Sequence, residues 1–205
     1  YKRKTIGNGK WYLGDCFDVF KDIPDNSIDM ILCDPPYGTT PIKWDNVIPF
    51  DILWAEYNRI IKNGSAIVMF GNFPFTAKLA CSNLENLKQA LVWNKNRCGS
   101  PALAKIRHMQ THEDILIFGK GKGKILYNPQ MQKGEPYSRN KVKAKKDNFG
   151  FGFSKSDKEY SYKTDGSRYP KSIINISRDF SAQQQVHPTQ KPVPLFEYLI
   201  KTYTH

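Results

Sequence analysis

Six consecutive residues, Ile28-Asp-Met-Ile-Leu-Cys33, constrain the fold of this 205-residue chain most tightly. They are almost wholly apolar and end abruptly in Asp34-Pro-Pro-Tyr37. A strand with one wet face alternates polar and apolar side chains, whereas an unbroken apolar run suits a sheet covered on both faces. The neighbouring sequence supplies the cover. Trp11–Leu13 reads as a short strand, and residues 16–22 read as a short helix stopped by Pro24. Residues 51–62 place Leu53, Trp54, Tyr57, Ile60 and Ile61 on one helical face, with Asp51 as N-cap and Gly64 after the end. Further strands are predicted at 65–70, 89–93 and 113–118, with a helix at 74–82. Strands alternating with helices predict an α/β fold with a mostly parallel sheet and helices on both sides.

The alternation stops after Phe118. Residues 119–185 are polar, basic and glycine-rich, with dispersed aromatics and one strand-like run at 172–176. So long a structureless loop is uncommon inside a compact domain, so an inserted lobe is expected. Regular signal returns at His187-Pro-Thr-Gln-Lys-Pro192 and a helix over 194–203. The expected organisation is an α/β core at 1–118, a basic insertion at 119–185 and a segment at 186–205 that rejoins the core.

Charge gives the first functional hint. Lys and Arg outnumber Asp and Glu by 31 to 19, a net charge of +12. Between Gly119 and Lys171 there are 14 basic residues against five acidic ones, so most of the excess sits in the insertion. Such clustering favours a polyanionic partner; a solvated lysine-rich loop is the competing reading. No apolar run approaches the roughly 18 residues of a membrane span. Tyr1-Lys-Arg-Lys-Thr5 precedes no apolar core and is not a secretory signal. Cys16, Cys33, Cys81 and Cys98 lack metal-binding or disulfide spacing, which suits free thiols in a reducing cytoplasm and no metal site.

Ligands of doubly wound sheets bind beyond the carboxyl ends of the strands, where Asp34-Pro-Pro-Tyr37 falls. The prolines remove two N–H donors and leave carbonyl acceptors. Asp34 adds a carboxylate and Tyr37 a flat aromatic face. A nucleobase with an exocyclic amine suits this set: its amino hydrogens meet Asp34 and the Pro35 carbonyl while its ring stacks on Tyr37.

At these residues the chain resembles the amino-methylating DNA methyltransferases, whose hallmark is Asp/Asn/Ser-Pro-Pro-aromatic. Gly14-Asp15-Cys16, Pro24-Asp-Asn-Ser-Ile-Asp29 and His187-Pro-Thr-Gln-Lys-Pro192 match further signatures of the permuted β class, most nearly its phage and prophage enzymes. The resemblance implies a Rossmann-like methyltransferase sheet with an inserted target-recognition lobe, S-adenosylmethionine as cofactor and double-stranded DNA as partner. It assigns Asp34, Pro35, Pro36 and Tyr37 to catalysis. It assigns Asp15, Cys16, Asp34, His187, Thr189 and Lys191 to the cofactor, and Lys141, Lys143, Lys145, Lys146 and Arg168 to DNA. A homodimer and a cognate restriction endonuclease are further partners the resemblance admits. Taken without it, Asp15 caps a helix and the HPTQKP stretch is a rigid turn. Trp93-Asn-Lys95 and His112-Glu113 also recur in the family, but core packing or strand-end capping accounts for them. Lys43, Trp44 and Asp45 are assigned to a loop over the extruded base.

The implied reaction is base flipping followed by direct in-line methyl transfer, without metal or cysteine nucleophile. Asp at the head of the motif favours adenine N6; cytosine N4 is the alternative, and RNA ranks lower. The family's Phe-x-Gly-x-Gly cofactor loop is expected after the last helix, where this sequence reaches His205. A fragment of a longer enzyme, starting at Tyr1 without methionine, is the favoured explanation, and a truncated, non-catalytic DNA-binding relative is the other.

Overall fold

The computed structural model describes residues 1–99, 101–139, 162–178, 187 and 189–205. In chain order the elements are β1 (Lys2–Ile6), β2 (Gly9–Leu13), α1 (Cys16–Phe20), β3 (Ile28–Cys33), α2 (Phe50–Ile60), β4 (Ile61–Gly71), α3 (Phe75–Ser82), β5 (Leu87–Asn94) and β6 (His112–Gly119). Then follow β7 (Gln132–Lys133), β8 (Tyr137–Arg139), β9 (Tyr162–Thr164), β10 (Ser167–Arg168), β11 (Ile173–Asn175) and α4 (Val193–Tyr203). Two compact units result, one of 1–128 with 171–205, the other Pro129–Pro170.

In the larger unit the sheet order is β11-β5-β6-β4-β3. β3, β4, β5 and β11 run one way, and β6 runs against both its neighbours. Side-chain alternation explains why these strands are apolar throughout. Ala66, Val68 and Phe70 of β4, with Ile115 and Ile117 of β6, pack against Leu195, Leu199 and Tyr203 of α4. The intervening Ile67, Met69, Leu116 and Phe118 pack on the other face, against Leu53, Trp54 and Tyr57 of α2 and Phe75 and Leu79 of α3. Both faces of the sheet are covered, and β3, at its edge, is partly buried between them.

Local expectations need three corrections. β1 pairs with β2 in an exposed antiparallel hairpin, of which the sequence pattern reveals only the second strand. α2 begins at Phe50 behind Pro49 with no side-chain cap, so Asp51 lies in the first turn, where its charge still favours the helix dipole. Gly64 does not end that helix. The chain passes directly from α2 into β4, and Gly64, at φ +79°, lies where the pairing jumps from Ile28–Ile61 to Met30–Ala66. A left-handed residue lets β4 absorb this bulge.

The smaller unit is narrower than the expected 119–185 insertion. The Leu126 N–H donates to the Gly64 carbonyl and the Asn128 N–H to that of Thr202, both at 2.8 Å, tying residues up to 128 to the core. β11 joins the sheet beside β5 on the return. Within the smaller unit, β7 pairs with β10 and β8 with β9, all antiparallel. A Cβ on Gly166 would lie 2.1 Å from the Gly134 carbonyl, at a φ of +96°, so only glycine fits there. Among the described residues, no helix is long and apolar enough to cross a membrane.

Candidate functional site

One rim of the large sheet gathers most of the chemistry. The carboxyl ends of β3 and β5 lead into Asp34 and Lys95. Because β6 runs backwards, its first residues, His112 and Glu113, pair with Asn94 and Trp93 and join the same rim. A cavity of about 400 Å³ opens here. Asp34, Pro35, Pro36 and Tyr37 line it, together with His187, Thr189 and Lys191 from the far end of the chain.

Asp34 is held through both oxygens. The Tyr37 hydroxyl donates to Oδ1 at 2.6 Å and Lys191 Nζ to Oδ2 at 2.6 Å. Burial, then the Asp34 and Glu113 charges, push the Tyr37 phenol far above its ordinary value, so it stays a donor. One face of the Tyr37 ring is stacked on Phe75, with centroids 5.1 Å apart. Lys191 is only 7% exposed and also lies 3.2 Å from Glu113, whose other oxygen is 3.1 Å from Lys95. Burial pushes the neighbouring Cys33 thiol up to about 11, against a lowering hydrogen bond with Tyr57, which leaves it a poor nucleophile.

Asp45 organises the turn after Tyr37. Its carboxylate accepts from the backbone N–H groups of Tyr37, Gly38, Thr39 and Thr40 and from the Thr40 hydroxyl, at 2.7–3.0 Å. It is 7% exposed. Burial opposes its charge, but the Thr40 hydroxyl and the N–H groups of Gly38, Thr40 and Thr39 outweigh that and hold the carboxyl at about 2. The expectation from sequence places Asp45 in a covering loop; the side chain instead pins residues 37–40. The signal is present in Gly38-Thr-Thr40, successive backbone N–H donors with no carboxylate among them and an acid five residues on. Trp44 does line the cavity, with its ring 5.9 Å from that of His187.

His187 and Thr189 form a tight turn, Nδ1 lying 2.9 Å from the Thr189 hydroxyl. Pro192 then starts α4, whose burial in the core fixes where Lys191 emerges. Trp93, Glu113 and Arg178 also line the cavity. Sequence reasoning passes over Lys95 and Glu113 as strand-end residues.

Asp15 and Cys16 are not brought into the cavity lining. Asp15 accepts from the Phe17 N–H at 2.8 Å and caps α1. Arg168 lies in the smaller unit, where its guanidinium donates to the Glu135, Ser167 and Thr164 oxygens and covers the Tyr137 ring at 4.7 Å. Lys141, Lys143, Lys145 and Lys146 lie outside the described residues.

Residues 28–205 match the N6/N4 methyltransferase family model, described as a DNA methylase. A curated relative, the DNA adenine methyltransferase YhdJ of Escherichia coli (strain K12), is 30% identical in a 129-position alignment that covers 56% of this chain and 42% of YhdJ. The chain spans less than half the length of the curated relatives it matches. Among solved structures, the cytosine-N4-specific PvuII DNA methyltransferase aligns with a TM-score of 0.63 at 15% identity, over 95% of this chain and 70% of that one. The M1.HpyAVI–SAM complex aligns with a TM-score of 0.56 at 22% identity, over 95% and 76%. At these identities the likeness establishes the fold.

Proposed function

Because the chain belongs to this family of DNA methylases, we propose that it transfers a methyl group from S-adenosylmethionine to the exocyclic N6 of adenine in duplex DNA. The observation that carries the proposal is the Asp34 carboxylate, steadied by Tyr37 and Lys191 beside Pro35 at the wall of the cavity. Asp34 and the Pro35 carbonyl accept the two amine hydrogens and aim the nitrogen lone pair into the cavity. Extrusion of the base costs a few kcal/mol, and stacking on Tyr37 returns about 1–3 kcal/mol. Phe75 already covers one face of that ring, so the base has at most the other.

The cavity's donor set fits the amino-acid end of the cofactor: Lys191 offers an ammonium to a carboxylate, and His187 and Thr189 offer a ring nitrogen and a hydroxyl. When bound, S-adenosylmethionine supplies an electrophilic sulfonium methyl. The inert Cys33 agrees with direct transfer to the amine. The lysines at 141–146 are proposed to contact phosphates. Arg168, already engaged within its own unit, is better read as a brace for β10 than as a DNA contact.

The name of YhdJ supports adenine. Cytosine N4 is the second reading, since the same two acceptors suit its amine equally well. Mass spectrometry of nucleosides from unmodified DNA, treated with the protein and S-adenosylmethionine, decides between them. N6-methyladenine is expected, N4-methylcytosine would select the second reading, and neither product would leave a DNA-binding role without catalysis.

A further inference from the structure

One carboxylate oxygen of the cavity lining has an ion pair but no hydrogen bond. Glu113 Oε2 is buried and accepts no hydrogen bond among the described residues, although Lys191 Nζ stands 3.2 Å away. Lys191 instead donates to Asp34 at 2.6 Å, and Lys95 holds the other Glu113 oxygen at 3.1 Å. Along this row the charges alternate, Asp34, Lys191, Glu113, Lys95, and sum to zero. The Lys191, Glu113 and Lys95 side chains are 7%, 15% and 14% exposed, so little water reaches them. A buried acceptor with unused capacity calls for an explanation. A cross-strand pair that only tied β5 to β6 would need Lys95 and one oxygen of Glu113, not the second oxygen turned toward Lys191.

We propose that Glu113 is a positioning residue, a second seat for the Lys191 ammonium that lets Lys191 release Asp34 when an amine arrives. The inference rests on the amine-methylating reading of the cavity. Asp34 already accepts from Tyr37 and Lys191, and an incoming amine competes with Lys191 for Oδ2. Moving Lys191 from Asp34 to Glu113 keeps a buried cation paired throughout. Among the described residues Glu113 is the second carboxylate within reach of the ammonium, and a buried cation that leaves one without the other is strongly penalised. Glu113→Gln therefore locks Lys191 onto Asp34.

The expected result for Glu113→Gln is a kcat lowered about 100-fold. KM for duplex DNA should move less than about threefold, because the substitution touches no group that binds phosphate. In a Lys191→Gln background the same change should cost less than about threefold more, because its effect passes through Lys191. A binding readout avoids turnover: the wild-type protein should hold adenine more tightly than purine, which lacks the amine, and Glu113→Gln should lose that preference in calorimetry. Lys95→Met, which frees Glu113 toward Lys191, should keep the preference. An intact preference in Glu113→Gln, or losses that multiply with Lys191→Gln alongside a matching fall in melting temperature, would overturn the proposal and make Glu113 a structural brace. A wild-type protein that neither methylates DNA nor prefers adenine would instead bring down the amine-methylating reading, and this inference with it.

Discussion

Asp34 and Asp45 are both acids beside the same turn, yet their surroundings give them different work. Asp34 faces the cavity, and under the proposed function its removal would delete a partner of the amine and no phosphate contact. Asp34→Ala should abolish methyl transfer while duplex affinity in a gel-shift assay stays near wild type; Tyr37→Ala should slow transfer less severely. Wild-type turnover by Asp34→Ala would end the proposed mechanism. Asp45 faces the backbone and acts through shape. Its carboxyl is held at about 2 in the fold and near 3.9 in an unfolded chain, worth roughly 2 kcal/mol at neutral pH. The depressed value means that this contribution is complete above about pH 4–5 and fades as pH falls toward 2, with about half gone by pH 3. Urea unfolding of Asp45→Asn should show that deficit at pH 7 and a narrower one at pH 3. An equal deficit at both would show that the charge does not matter.

At the scale of elements, α4 is what brings the two ends of the chain's chemistry together. Lys191 lies 157 residues from Asp34 in sequence. It reaches Asp34 because Leu195 and Leu199, both fully buried, seat the following helix on the face formed by β4 and β6. Leu195→Ala should cost about 2–5 kcal/mol in urea unfolding. It should also lower methylation more than a comparable truncation at Leu79, which packs on the opposite face of the sheet. Equal losses at the two sites would mean that α4 adds stability alone. The reversed β6 makes a similar contribution, since antiparallel entry delivers Glu113 to the rim where parallel strands deliver their last residues.

For the whole molecule, the uneven charge is the quantity to test. If the lysines at 141–146 track phosphates, replacing Lys141, Lys143, Lys145 and Lys146 by Gln should weaken specific and non-specific duplexes alike. The slope of log affinity against log salt should flatten by about 0.9 for each phosphate that is no longer neutralised. Sequence discrimination should survive, because it belongs to groups that meet the base edges. An unchanged salt slope would return these lysines to a solvated surface.

Periodicity and motif alone make much of this protein legible. An unbroken apolar run predicts a strand covered on both sides; β3 begins and ends where that run does, but at the sheet edge it is only partly buried. The Asp34-Pro-Pro-Tyr37 and HPTQKP stretches mark residues that converge on one cavity. Side-chain chemistry at a strand end is a local property, so a sequence carries it openly. What the sequence leaves undecided depends on partners distant in the chain. Asp51 has the chemistry of a cap, but the helix start is set by Pro49 and Phe50. Gly64 has the chemistry of a helix stop, but the pairing of β4 with β3 turns it into a bulge. Lys95 and Glu113 read as strand-end residues until the reversed β6 and the seating of α4 put them in line with Lys191 and Asp34. Ion pairs form through space, and strand direction is fixed by packing and not by composition, so only the tertiary structure joins those four charges.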